Sequence, residues 1–225
     1  MIGYMLAQAL GTELPERDVV ALLTQVLVDP DDPGFVHPTK PIGPVYSEEE
    51  ARELAADRGW MIARDGEHFR RVVASPEPKG IVELEAIERL VAAGSVVICA
   101  GGGGIPVFFD GSGMHGVEAV IDKDLTAALL AEELGAERLI VLTDVSCVER
   151  DWGTPAATPI SATTPDELRT LSFASGSMGP KIEAACRFVE RTGGDALIGS
   201  LAELDDVARG AAGTRIALAC ALAAP

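Results

Sequence analysis

The segment SVVICAGGGGIP, Ser95–Pro106, sets a β-branched apolar run directly against four consecutive glycines. A run such as Ser95–Ala100 suits a strand covered on both faces, and glycines at its carboxyl end let backbone N–H groups approach a ligand closely. Upstream, Val82–Ala93 has helical apolar spacing and reaches this strand through Gly94. Downstream, Val117–Ile121 reads as a strand that enters Asp122-Lys123-Asp124 and a helix to about Leu134. Arg138–Leu142 and Ala196–Gly199 are further apolar strands, Lys181–Arg191 is an amphipathic helix, and Leu201–Arg209 a last helix. Thr164, Pro165 and Glu167 mark another capped helix start. Strands alternating with helices predict an α/β fold with a mostly parallel sheet covered on both faces.

Toward the amino terminus, Asp18–Asp29 predicts a buried strand, followed by a loop holding Pro30, Pro33, Pro38, Pro41 and Pro44. Ser47 with Glu50 forms a capping box for a helix to about Asp57, and Trp60–Arg64 with Phe69–Val73 suggest a hairpin. The stretch from about Val28 to Ser75 breaks the alternation and reads as an excursion from the sheet. Met1, Ile2, Met5, Leu6, Ala9 and Leu10 share one helical face, yet no Ser, Thr, Asp or Asn opens that helix. The chain is therefore expected to begin inside an element.

Composition narrows the function. The 225 residues carry 35 Asp and Glu against 18 Lys and Arg, a net charge of −17, which argues against a duplex nucleic-acid binder. Hydrophobic residues make up 48%, too many for a disordered chain. Cys99, Cys147, Cys186 and Cys220 have neither zinc-site nor disulfide-scaffold spacing and read as buried small hydrophobes in a reducing compartment. No signal peptide is visible, and the longest apolar run, Gly94–Phe109, contains the four glycines and a proline, so no membrane span is expected. The expected location is cytoplasmic.

Three places suit an anionic ligand in an α/β sheet, where glycine turns and helix N-termini converge at strand ends. The first is Gly101, Gly102, Gly103 and Gly104, an anion-binding nest or a tight turn. The second is Asp122-Lys123-Asp124. Capping and the helix dipole account for both acids but not for a cation in the first turn. The third is Ser175–Lys181, where Lys181 again opposes the dipole. Two such lysines beside glycine loops point to phosphoryl chemistry. A P-loop, zinc-protease and α/β-hydrolase motifs are absent, and Pro106 stands where a dinucleotide fingerprint needs its third glycine. His37, His68 and His115 are dispersed loop or surface residues, and Asp29, Asp31 and Asp32 read as solvated acids rather than a calcium loop.

Six strings, PTKPIGP (Pro38–Pro44), RRVVASPEP (Arg70–Pro78), CAGGGGIPV (Cys99–Val107), GVEAVIDKD (Gly116–Asp124), VLTDV (Val141–Val145) and GSMGPKIEAACRFVE (Gly176–Glu190), closely resemble carbamate kinases of the amino acid kinase superfamily. The resemblance runs from Met1 to about Ile216. It implies a three-layer αβα sandwich with a mostly parallel sheet over residues 1–225, and a small protruding subdomain over residues 29–75. It implies phosphoryl transfer between ATP and carbamate, giving ADP and carbamoyl phosphate, with Mg²⁺ accompanying ATP/ADP, in a cytoplasmic homodimer of arginine metabolism.

By the same resemblance Lys123 and Lys181 flank the transferred phosphoryl group, Asp124 holds those lysines, and Lys40 reaches over the site from the subdomain. Thr143, Asp144 and Met178, with Lys181, fall on the nucleotide side. Gly101, Gly102, Gly103 and Gly104 line the substrate and phosphate channel. Departures are the absence of the family's ALGGN-type and HGNGPQVG-type glycine loops, the less glycine-rich Glu67-His68-Phe69, and the apolar tail Ala217–Pro225. The fold is accordingly expected to be N-terminally incomplete, leaving sheet edges and an apolar face uncovered. An inactive remnant that keeps nucleotide binding or dimer contacts, and a kinase for another small carboxylate, are the alternatives.

Overall fold

A computed structural model describes residues 1–173 and 178–223. The chain divides into two compact units, residues 1–126 and 127–225, and the division falls within a helix.

In the first unit, helix α1 (Ile2–Glu13) precedes strands β1 (Val19–Ala21) and β2 (Gln25–Leu27). The short helix α2 (Pro33–Val36) leads to β3 (Lys40–Tyr46), α3 (Glu48–Arg58), β4 (Met61–Asp65) and β5 (His68–Val73). Then come β6 (Gly80–Ile81), α4 (Leu84–Ala92), β7 (Val96–Ile98), the hairpin β8 (Ile105–Asp110) and β9 (Gly113–Gly116), and the start of α5 (Lys123–Glu133). The strand expected over Asp18–Asp29 is two strands, because its pairing partner changes. β1 lies parallel to β7, whereas β2 lies parallel to β8, and the glycine run bulges out between those two partners. Thr24 spans the break: its hydroxyl accepts the Ala100 N–H at 2.8 Å, and its carbonyl accepts the Ile105 N–H at 2.9 Å.

The excursion forms its own antiparallel sheet in the order β3-β5-β4, with the expected β4–β5 hairpin. Helix α3 starts at the Ser47–Glu50 capping box and ends at Gly59 in the left-handed conformation. Asp32 corrects the reading of a solvated acid. Its two oxygens accept the Gly34 N–H at 2.7 Å and the Glu77 N–H at 3.1 Å, so it ties the outgoing to the returning leg of the excursion. Val117–Ile121, expected as a strand, is irregular. Its Val117 and Val120 N–H groups bond singly to the Pro106 and Ala74 carbonyls, and β9 has already taken the place beside β8. Helix α1 has no side-chain cap and no buried residue, with Ile2 73% and Tyr4 69% exposed.

In the second unit β10 (Arg138–Thr143) is followed by the antiparallel pair β11 (Val148–Arg150) and β12 (Thr158–Ile160). Next come β13 (Ala162–Thr163), α6 (Pro165–Arg169), α7 (Met178–Thr192), β14 (Asp195–Ser200), α8 (Leu204–Ala208), β15 (Thr214–Ile216) and α9 (Ala219–Leu222). Helix α6 begins at the expected Thr164–Glu167 capping box with Pro165 in its first turn. Helix α7 buries Ile182, Cys186, Phe188 and Val189, spacing that lays one face on the sheet. Strands β10 and β14 run parallel from Arg138↔Asp195 to Thr143↔Ser200, so Thr143 stands at a carboxyl strand end. The sheet continues to β15, antiparallel to β14, and then to β13. The apolar tail enters the core at its first residue: Ala217 is fully buried beside Ile216, the buried last residue of β15, and α9 follows. Of the four cysteines, Cys186 is buried, Cys99 and Cys147 are half-buried, and Cys220 is exposed, which corrects the uniform expectation of burial. All four are free thiols.

Candidate active site

The first turn of α5 gathers the charges. Asp122, just before the helix, is buried, and its Oδ1 accepts the N–H groups of Asp124 at 2.9 Å and Leu125 at 3.3 Å. That is the N-cap anticipated for it. Its second oxygen does something the cap reading does not contain, for Oδ2 accepts from the Lys40 ammonium in a close ion pair. Burial pushes the Asp122 carboxyl up, but Lys40 and the two N–H donors outweigh it and hold the group below its ordinary value.

Lys123 opens the helix, and its Nζ lies 3.2 and 3.1 Å from the two oxygens of the buried Asp124. The structure therefore brings Lys40, Lys123 and Asp124 to one helix start and adds Asp122, which sequence reasoning assigned only to capping. Its sequence signal was weak, because a carboxylate at an N-cap is ordinary and its ion-pair partner lies 82 positions away. Ammonium groups on a helix N-terminus suit a ligand with concentrated negative charge.

The glycine run is bedded on this turn. The Thr126 hydroxyl donates to the Gly103 carbonyl at 3.0 Å. A Cβ on Gly103 would stand 2.1 Å from the Ile121 carbonyl oxygen, and one on Gly104 would stand 2.3 Å from Val26 Cγ2. Both backbones have positive φ, +130° and +86°. These two glycines are needed for packing. Gly101 and Gly102 are exposed, with open space where a side chain would project.

In the second unit a cavity of about 380 Å³ opens at the end of β10. Thr143 and Asp144 line it together with Cys147, Trp152, Phe173 and Met178. The Thr143 hydroxyl donates to Asp144 Oδ1 at 3.1 Å. Burial, together with nearby Glu149, pushes the Cys147 thiol up, so it sits there as a neutral group. Aromatic and thioether surface beside two polar groups fits a flat ring that must also be oriented by hydrogen bonds. Three residues expected on the nucleotide side, Thr143, Asp144 and Met178, thus share one cavity. Lys181 lies one turn further along α7 from Met178. Of the expected Ser175–Lys181 loop, Ser175, Gly176 and Ser177 lie outside the described residues.

Comparison with known proteins gives the family. The amino acid kinase family model matches residues 44–200. A carbamate kinase of Haemophilus influenzae is 55% identical over 218 residues, covering 96% of this chain and 70% of its own length. The chain belongs to the carbamate kinase family. A carbamate kinase of Escherichia coli K12 is 51% identical, covering 97% of this chain and 72% of its own length. Among solved structures, the carbamate kinase of Giardia lamblia bound to AMP-PNP superposes with a TM-score of 0.83 at 40% identity, over 96% of this chain and 72% of that one. The same enzyme bound to citric acid gives 0.88 at 39% identity, over 96% and 71%. The α/β fold class and the family resemblance read from the six strings are both borne out.

Proposed function

We propose that the chain transfers a phosphoryl group reversibly between ATP and carbamate, giving ADP and carbamoyl phosphate. The observation that carries this reading is the clustering of Lys40 and Lys123 with two buried carboxylates at the start of α5, in a chain half identical to carbamate kinases. In the ATP-forming direction a terminal oxygen of ADP attacks the phosphorus of carbamoyl phosphate. The bond from phosphorus to the carbamate oxygen breaks, and carbamate leaves with the electron pair. The attacking oxygen is already anionic, so no general base is required. What the protein must supply is alignment and compensation of charge on the moving group. Lys123 and Lys181 provide that compensation, with Asp124 holding the Lys123 ammonium in place. Lys40 approaches from the β3-β5-β4 sheet, which with its connecting legs, residues 29–75, is a protruding subdomain.

The cavity at Thr143, Asp144 and Met178 takes the nucleotide base, and Gly101 and Gly102 border the phosphate path. Mg²⁺ accompanies the nucleotide and supplies further neutralisation of phosphate charge. Among the described residues no group of three or more His, Cys, Asp or Glu side chains could hold a metal. Among the described residues no helix is long and apolar enough to cross a membrane. A cytoplasmic homodimer completes the proposal.

The test is ATP formation from carbamoyl phosphate and Mg·ADP by the purified chain and by Lys181→Ala. Loss of a phosphate-facing cation is expected to lower kcat at least on the order of 10²–10³-fold, with the melting temperature unmoved. Equal turnover by the variant would remove Lys181 from the mechanism.

A further inference from the structure

Lys40 is anchored in one sheet and held in another part of the same unit. Its backbone begins β3, where it pairs with Val73 of β5, while its ammonium is bound by Asp122 at the start of α5. Holding a long side chain in one place loses rotamer freedom, and burying its partner carboxylate loses hydration. Asp122 does not need Lys40 to be satisfied as a cap, since Oδ1 alone accepts both N–H groups of the first turn. The cap leaves Oδ2 without a backbone duty, and that oxygen takes the lysine. An ammonium has three donors, so a lysine bound once to Asp122 retains two for an anion.

We propose that Asp122 is a positioning residue for phosphoryl transfer, docking the Lys40 ammonium on the first turn of α5 so that it meets the same anion as Lys123. The inference rests on the kinase reading above and deepens it. Asp122 itself does not touch the substrate. It acts through Lys40, and by holding that side chain it ties the β3-β5-β4 sheet to the helix start. Two ties at the base of the same excursion keep the span short: Asp32 joins its two legs, and the Val120 N–H donates to the Ala74 carbonyl at 2.9 Å.

Asp122→Asn separates the two duties, because an amide oxygen can still cap α5 but carries no charge for Lys40. In the full chain this variant is expected to keep its melting temperature and its KM for Mg·ADP. It should lose on the order of 10–100-fold in kcat/KM for carbamoyl phosphate, the range that misplacing a charge-stabilising group produces. Lys40→Ala should lose a comparable amount, and the double variant no more than the greater single loss. Limited acetylation read by mass spectrometry reports the pair without turnover: Lys40 should react several-fold faster in Asp122→Asn, while exposed Lys79 is unchanged. If Asp122→Asn does not fold, Asp122→Ser, which also caps, takes its place.

An active parent whose Asp122→Asn form keeps full kcat/KM overturns the positioning role alone. So does unchanged Lys40 labelling, or a double variant whose loss equals the product of the singles. A parent chain that transfers no phosphate overturns the kinase reading as well, so the two failures are told apart by the unsubstituted protein.

Discussion

Gly101 and Gly102 stand in the open, with no atom within 4 Å of where a side chain would begin, whereas Gly103 and Gly104 would drive a Cβ to 2.1 Å from a backbone oxygen and 2.3 Å from a core methyl. Four identical residues in a row therefore answer two different demands. The second pair lets the chain turn from β7 into β8 while lying on the start of α5 and against Val26. The first pair leaves its backbone exposed, with Gly101 also turning at a φ of +42°. A glycine run read as one phosphate nest merges a pair that packing requires with a pair that stands open. Only the surroundings of each residue separate them.

Substitutions along the run test the division. The largest effect is expected for Gly103→Ala. The obstructing atom is the Ile121 carbonyl oxygen, which cannot swing aside, and a φ of +130° is strained for any side chain. A loss of about 3 kcal/mol or more of unfolding free energy follows, measurable by urea titration. A native-like midpoint would break the comparison. Gly104→Ala should cost less, about 1–3 kcal/mol, because the obstruction is a side-chain methyl of Val26. Pairing it with Val26→Ala should recover part of that loss in a double-mutant cycle, and strict additivity would show that the clash is not the cause. Gly102→Ala should leave stability within about 0.5 kcal/mol yet raise KM for carbamoyl phosphate several-fold. Unchanged kinetics would mean the open half of the run does not border the phosphate path.

Local signals were legible in proportion to how few residues they involve. Both capping boxes, Ser47–Glu50 and Thr164–Glu167, occur as read, because each is closed by side chains three positions apart. The β4–β5 hairpin is equally local. The β8–β9 hairpin was missed, although Gly111-Ser112, the two residues between paired Asp110 and Gly113, is a turn signal that would have found it. Val117–Ile121 has the composition of a strand but no neighbour left to pair with. Asp18–Asp29 is extended, as its β-branched residues require, and is divided only because it changes partners at Thr24. Helix α9 escaped notice because Ala219–Leu222 is too short to show a period.

The candidate site shows the same limit more sharply. Lys123 and Lys181 were visible from sequence because a cation in the first turn of a helix opposes the dipole and asks for an explanation. Lys40 offered no such contradiction and entered only through family likeness. Asp122 was visible only as a cap.

The sequence by itself determined the α/β alternation, the helix starts, the kinase family and the two lysines set against helix dipoles, since all of these rest on spacing within a turn or on strings of adjacent residues. Tertiary structure alone decided which glycines are packed and which are open, that Asp32 joins the legs of the excursion, and that Asp122 holds Lys40. Those contacts link residues 45 and 82 positions apart. A carboxylate has the same composition whether it faces water or an ammonium, so its partner is known only when the chain brings the two together.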